Sequence, residues 1–454
     1  MENKLEKKYG LWTAMCMVVG VVIGSGVFFK AEAVLNKTGG NMPLGILAWL
    51  IVGLVMIVCA YVFAVMATRY ERVNGVVDYA EATVGDRYAY NMGWFSAMIH
   101  IPSLVSAVGW IAARYFCVLM GWDITGGACM TIAATFIALD YGMNALAPRL
   151  SGKFQVSATV IKLIPLTLMA IVGTIAGMKS GLLVENFSTV SITAEGGAMA
   201  GLMASCVAVA FAYEGWVMAT SINAELKDAK RNLPLALVGG AFIVVIVYIL
   251  YYIGLSGAVT TQELMASGQE AAKMAFQRVF GGFAGTLLFV LIVISCLGTL
   301  NGLILGCCRG MYSLADRGQG PKPEMFVQVD PVTNIPTNSA VVSLMVNMLW
   351  LLYFYGANLA ADGGWFGAFN FDSSELPVIT LYGMFIPMFI QLMRKEKDLP
   401  TFKRVVMPIL GVLCCLFMIY AAFKAYGFVT CGCYLVIYVV IMIIGNLFYK
   451  KKKA

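Results

Sequence analysis

Apolar residues run along this chain in stretches of about 20, the length a helix needs to cross a hydrocarbon core, and polar residues gather between them. Twelve such runs begin near Trp12, Leu44, Tyr90, Gly126, Phe154, Ala198, Leu235, Phe283, Thr337, Leu376, Val405 and Phe428. They predict an all-α polytopic membrane protein with twelve transmembrane helices and both termini on one side. The run from Tyr90 to Gly121 is long enough to tilt strongly or to continue into a surface helix.

Two of these runs are interrupted where a span should be most helical. "VVIGSGVFF", residues 21–29, sets Gly24, Ser25 and Gly26 inside span 1, and "AVAFAYEGWVMAT", residues 208–220, sets Glu214 and Gly215 inside span 6. One reading is helix packing, since Gly20 and Gly24 form a small-x-x-x-small pair that lets two helices approach. The other is a discontinuous helix whose unwound backbone faces a buried site. Breaks five spans apart favour the second, because inverted repeats place corresponding interruptions in their two halves. Residues of about 10–177 and about 198–393 would then form related halves, with about 405–449 adding two helices to a single domain over 1–454. Unsatisfied backbone is costly in lipid, so paired breaks must face protein, water or a polar ligand. A zwitterion suits both kinds of freed group: half-helix amides attract a carboxylate, and freed carbonyls accept from an ammonium.

Composition places the chain firmly in lipid, with 60% hydrophobic and only 12% charged residues. The net charge of +7 follows from topology. With the N-terminus inside, 23 of the 31 lysines and arginines fall on inner segments, among them Lys4, Arg69, Arg149, Lys230, Arg317, Arg404 and Lys450. The outer remainder is Lys30, Lys37, Arg114, Lys179, Lys273, Arg278 and Lys424, and Lys162 lies within a span. The start "MENKLEKKYGLW" reads as a cytoplasmic tail and not a signal peptide, and "YKKKKA" suits anionic headgroups at the plasma membrane. Scattered basic residues argue against nucleic acid. Twelve cysteines without metal-ligand spacing read as free thiols, and no metal or cofactor is expected.

At its breaks the sequence resembles the amino acid-polyamine-organocation (APC) superfamily, with the LeuT-type 5+5 inverted repeat, and most closely its L-type amino acid transporter-like branch. The stretches that carry this are "IGSGVFF", "FAYEGW" followed by "NAELKDAKRNLPLAL", "GKFQVSATVIKL" and "SCLGTLNG...CRGMYSLADRGQGP". The resemblance implies that backbone amides at Gly24, Ser25 and Gly26, with the Ser25 hydroxyl, hold a substrate carboxylate. It implies that carbonyls of Val22, Phe211 and Glu214, in the stretch that includes Ala212 and Tyr213, meet the ammonium. Phe211 matches an outer gate. Lys162 matches a lysine that stands in a sodium site of sodium-coupled relatives and would tie span 1 to span 8, where Ser295 is the aligned polar residue. Snorkelling to the interface is the other reading of Lys162.

The sequence departs from the L-type pattern at Glu214, where that branch has a small residue. A carboxylate there would attract a cationic side chain, carry a proton or be paired structurally, with Tyr213 or with an unseen cation. His100, the only histidine, reads either as packing or as a proton-coupling group. Asp140 and Glu225 read as loop anchors pairing with Arg149, Lys227 or Arg231, and Pro102, Pro165, Pro377 and Pro387 as helix kinks.

The resemblance implies a sodium-independent secondary transporter exchanging small or neutral amino acids by alternating access. The alternative is a proton-coupled or exchanging carrier of cationic amino acids or amines that uses Glu214. No paired aspartates, His-Glu-x-x-His or serine-histidine set supports an intramembrane enzyme. A dinucleotide-binding reading of Gly24 and Gly26 fails for want of a preceding strand. A channel would need a polar ring or filter that the sequence lacks. Some animal L-type relatives pair with a single-span glycoprotein through an outer-loop cysteine; "GWDIT", residues 121–125, has none, so no obligate protein partner is expected.

Overall fold

A computed structural model describes residues 10–70, 75–188, 196–216, 226–267, 270–361 and 363–450. Each apolar run is helical, and no strand occurs among the described residues. Nine helices there are long and apolar enough to cross a membrane. They are Met42–Arg69 (span 2), Asp86–Met120 (span 3), Gly127–Leu146 (span 4), Pro148–Ser180 (span 5), Ala229–Ala258 (span 7), Gly282–Ala315 (span 8), Thr337–Asn358 (span 9), Pro377–Lys395 (span 10) and Phe402–Leu447. The last bends at Gly427, whose φ of 76° no helix contains, and so divides into the eleventh and twelfth runs. The long third run belongs to span 3, which continues through a π-helical turn, Ser96–His100, immediately before Pro102.

Spans 1 and 6 are the short ones. Span 1 consists of Leu11–Val22 (half 1a) and Gly26–Lys37 (half 1b), separated by Ile23 in an extended conformation. Span 6 is helical over Gly197–Ala212 and then leaves the helix at Tyr213. Gly215 has a φ of 101°, a backbone conformation that a side chain disfavours, so the turn needs glycine there.

Around these breaks span 7 runs along span 2, half 1a and span 5, while half 1b lies against Gly197–Ala212. Span 8 packs instead on spans 3, 4 and 5, and span 9 closes on span 3. Large apolar side chains such as Leu139, Ile171, Leu349 and Ile443 face outward, as a lipid-facing belt requires.

Several sequence expectations change in three dimensions. Asp140 is buried in span 4, and neither carboxylate oxygen meets Arg149, Lys227, Arg231 or any other donor among the described residues. Pro377 opens span 10 and does not kink it, whereas Pro387 sits inside that helix. Glu225 lies outside the described residues, as do Lys4, Lys7, Lys8, Arg72 and residues 451–454. All twelve cysteines are free thiols.

Candidate functional site

The break in span 1 arises because Gly24, Ser25 and Gly26 supply no bulky side chain to pack a continuous helix, and three neighbouring spans supply partners for the freed backbone. The Ile23 amide closes half 1a by donating to the Val19 carbonyl at 2.9 Å. Beyond it, the Tyr248 hydroxyl of span 7 accepts from the Gly24 amide at 3.4 Å. That hydroxyl is also 3.2 Å from the carbonyls of both Val22 and Ala212, which share its proton. One side chain therefore joins the two breaks. The Ser25 amide donates to Thr299 Oγ1 of span 8 at 3.1 Å, and that hydroxyl donates to the Ser295 carbonyl.

Gly26 marks the closest approach of the halves. A Cβ placed there would stand 2.7 Å from the Ala212 Cα, so only glycine lets half 1b reach span 6. Gly20 and Gly24 also admit neighbours, with built Cβ positions 3.0 Å from Thr159 and 3.3 Å from Thr299. Packing and unwinding thus coexist in one short stretch. The Gly26 amide has no acceptor among the described residues, as expected for the first turn of a half-helix.

Lys162 of span 5 donates from Nζ to the Gly20 carbonyl at 2.7 Å. Its side chain is directed at span 1 and does not snorkel to the interface. The expected tie to Ser295 is not made: the Ser295 hydroxyl is buried without a partner. Span 8 instead reaches span 1 through Thr299.

The break in span 6 is a tight turn. Phe211 offers its carbonyl to the Glu214 amide at 3.3 Å, so this carbonyl is already engaged within its own chain. Tyr213 stacks on Tyr248 with ring centroids 5.2 Å apart and donates to the Trp49 carbonyl at 3.1 Å. Glu214 is paired across the bundle with His100, Oε2 to Nε2 at 3.6 Å, and not with Tyr213.

Phe211 lies beneath a buried ionic cluster. The Lys30 ammonium sits 4.8 Å from the centroids of both Phe211 and Phe29. Lys30 pairs with Glu375, which also receives Lys37 at 3.2 Å and the Tyr426 hydroxyl. The Lys30 and Glu375 side chains are each only 2% exposed. At the other end of the bundle Arg317, after span 8, pairs with Asp78 and with Glu81 at 2.8 Å.

Sequence reasoning missed Tyr248, Thr299 and the Lys30–Glu375 pair. Tyr248 has no local signal in "VYILYYIG", because only the crossing of spans 1, 6 and 7 selects it. Thr299 stood inside the quoted "SCLGTLNG", and a hydroxyl four residues after Ser295 was the available hint. Lys30 was detectable as a charge inside an apolar run, which marks function by default.

Split helices meeting at a buried polar centre define a class, the carriers of LeuT-type fold. The structure of MhsT in complex with L-phenylalanine aligns with a TM-score of 0.58 over 98% of this chain and 99% of that one, at 14% identity. The chain belongs to the amino acid permease family, whose model matches residues 9–448. It is similar to the serine/threonine exchanger SteT of Bacillus subtilis (strain 168), 28% identical over 77% of this chain and 78% of that protein. The b(0,+)-type amino acid transporter 1 of Homo sapiens is 25% identical over 92% of this chain and 83% of that protein. The protein is therefore a multi-pass membrane protein that transports amino acids.

Proposed function

We propose that this carrier exchanges small or neutral amino acids across the plasma membrane without sodium, with both termini in the cytoplasm. It consists of two related halves, about 10–177 and about 198–393, followed by two added helices. The observation that carries the reading is the Tyr248 hydroxyl, which joins Val22 and Gly24 of span 1 to Ala212 of span 6. Each carbonyl keeps a second lone pair, so a substrate ammonium bridges the same acceptors, while the carboxylate meets the free Gly26 amide and takes the Gly24 and Ser25 amides by displacing the Tyr248 and Thr299 hydroxyls. Recognition through backbone serves the part that every amino acid shares.

Lys162 supports the sodium-independent reading, because its Nζ stands against half 1a and donates to the Gly20 carbonyl. Alternating access moves spans 1, 2, 6 and 7 against the others. Phe211, beneath Lys30 and Glu375, closes one side, and Arg317 with Asp78 and Glu81 closes the other. The reading is of a carrier and not an enzyme. It needs no heavy-subunit partner: Cys117 and Cys129, which flank the loop at 121–125, are buried thiols.

A second reading, a carrier of cationic amino acids or amines, is favoured by one observation, the Glu214 carboxylate at the break. Counterflow in liposomes tests both. Purified protein is loaded with one unlabelled amino acid at a time against a labelled trace outside, in sodium-free buffer. Accumulation driven by neutral amino acids is the expected result. Accumulation driven only by lysine or arginine selects the second reading, and a strict requirement for sodium removes the role given to Lys162.

A further inference from the structure

Three polar side chains at one end of the bundle have no part in the proposed exchange. Arg87 and Asn91 stand on the first turns of span 3, and Asn446 stands near the end of the last helix, Phe402–Leu447. Asn446 joins them. Its Oδ1 accepts from Arg87 Nε at 3.1 Å, and its Nδ2 donates to Asn91 Oδ1 at 2.9 Å and to the Met442 carbonyl at 2.8 Å. Polar groups at the lipid-facing edge of a bundle are costly unless they serve a partner or a ligand.

The two helices are locked together beside this set. The Tyr90 hydroxyl donates to the Gly445 carbonyl at 2.7 Å, and Trp94 Nε1 donates to the Ile441 carbonyl at 3.0 Å. A Cβ on Gly445 would collide with the Trp94 indole, so glycine permits the approach. Along the seam runs an open groove of about 520 Å³. Arg87, Asn91 and Asn446 form its polar end, and Val439, Ile443 and Leu447 its apolar wall. These last three are exposed and four residues apart, so they make one stripe about 12 Å long on a single helix face.

The polar end is also the basic end. Arg87 is exposed, with its guanidinium 5.8 Å from the Tyr449 ring centroid. Only its Nε is engaged, and among the described residues neither terminal nitrogen has an acceptor. The neighbouring Asp86 carboxylate is occupied by Gln319 Nε2 and by the Tyr449 hydroxyl, each at 2.9 Å. Lys450 is exposed just beyond the helix, and Lys451, Lys452 and Lys453 follow it in sequence. A soluble phosphate would satisfy the arginine and leave the stripe uncovered. A neutral lipid would cover the stripe and leave the basic end unpaired.

We propose that this groove binds an anionic phospholipid from the leaflet on the side of the C-terminal tail. The terminal nitrogens of Arg87 donate to its phosphate, an acyl chain lies along Val439, Ile443 and Leu447, and the lysine run draws the headgroup in. Bound there, the lipid braces span 3 against the last helix. The inference needs neither the exchange reading nor the direction in which the termini face.

The test uses the full chain, purified in detergent without substrate. Native mass spectrometry follows retention of dioleoyl phosphatidylglycerol against dioleoyl phosphatidylcholine, added in equal amounts. Phosphatidylglycerol should be preferred by about fivefold or more, the effect of one basic residue at an anionic surface or greater. Arg87→Gln should lose this preference. Ile443→Trp, which crowds the stripe and keeps every charge, should retain less of the lipid, and free glycerol phosphate should not compete. Equal retention of the two lipids, displacement by glycerol phosphate, or an unchanged preference in Arg87→Gln overturns the proposal. So does a preference lost only when Lys450 to Lys453 are replaced by glutamine, which marks general surface attraction. Thermal unfolding gives a second reading: phosphatidylglycerol should raise the midpoint of the wild type more than phosphatidylcholine does, and should not do so in Arg87→Gln. Failure of counterflow with lipid preference intact counts against the exchange reading and leaves the groove standing.

Discussion

The two breaks solve the same problem by different means. In span 1 the freed backbone is met by neutral hydroxyls from Tyr248 and Thr299 and by one ammonium, Lys162, all aimed at main-chain atoms. In span 6 the turn engages its own Phe211 carbonyl and presents a carboxylate whose partner is a histidine. In the proposed reading the difference separates two tasks: main-chain groups would read what all amino acids share, and the charged side chain would discriminate among them. Variants at the first break should lower transport of every substrate alike, while variants at the second should change the ratio between substrates.

The largest effect belongs to Gly26→Val. With a Cβ only 2.7 Å from the Ala212 backbone, the halves must separate, since nothing flexible stands in the way to yield. Overpacking of this kind costs about 1–3 kcal/mol or more. Counterflow should fall below detection for all amino acids, and thermal unfolding of the purified protein should shift down. Retained transport at wild-type rates would mean that spans 1 and 6 do not need this approach.

Lys162→Met comes next. It removes a charged donor and leaves the Gly20 carbonyl unpaired, a loss of about 1.5–3 kcal/mol. Exchange rates should drop about tenfold to a hundredfold, equally for neutral and cationic substrates. If added sodium restored the rate, the lysine would be standing in for that ion.

Tyr248→Phe removes one hydroxyl from three backbone partners, about 1–2 kcal/mol, for a loss of roughly tenfold or somewhat more. Its diagnostic reading is the lysine-to-alanine ratio, which should stay constant while both rates fall. A changed ratio would break the division of labour between the two breaks.

The smallest effect is expected at Glu263→Gln, in the helix Thr261–Ser267 outside the spans. Arg278 and Thr260 hold the Glu263 carboxyl down at about 2. Because that value lies below the unfolded one, the contribution is complete above about pH 4.3 and is lost only as pH falls through about 2. The pair is exposed and contributes about 0–1 kcal/mol. Transport between about pH 5.5 and 8 should be unchanged in this variant. A loss of transport there would mean that this exposed pair bears on the carrier's motion.

The one-dimensional pattern by itself determined the solvent, the helical class, the position of both breaks and the group of residues around them. Hydropathy and helix-breaking residues act locally, so twelve apolar runs, the Gly-Ser-Gly interruption and the Glu-Gly turn are visible without coordinates. Only the tertiary structure decided which side chains complete the breaks. Tyr248 is 224 residues from Gly24, Thr299 is 274 from Ser25, and Lys30 is 345 from Glu375. His100 looked like ordinary packing until span 3 set it beside Glu214. Asp140 looked like an anchor until its expected partners proved out of reach. Such pairings depend on how helices cross, and a crossing angle is a property of many packed side chains at once, which no short stretch of sequence encodes.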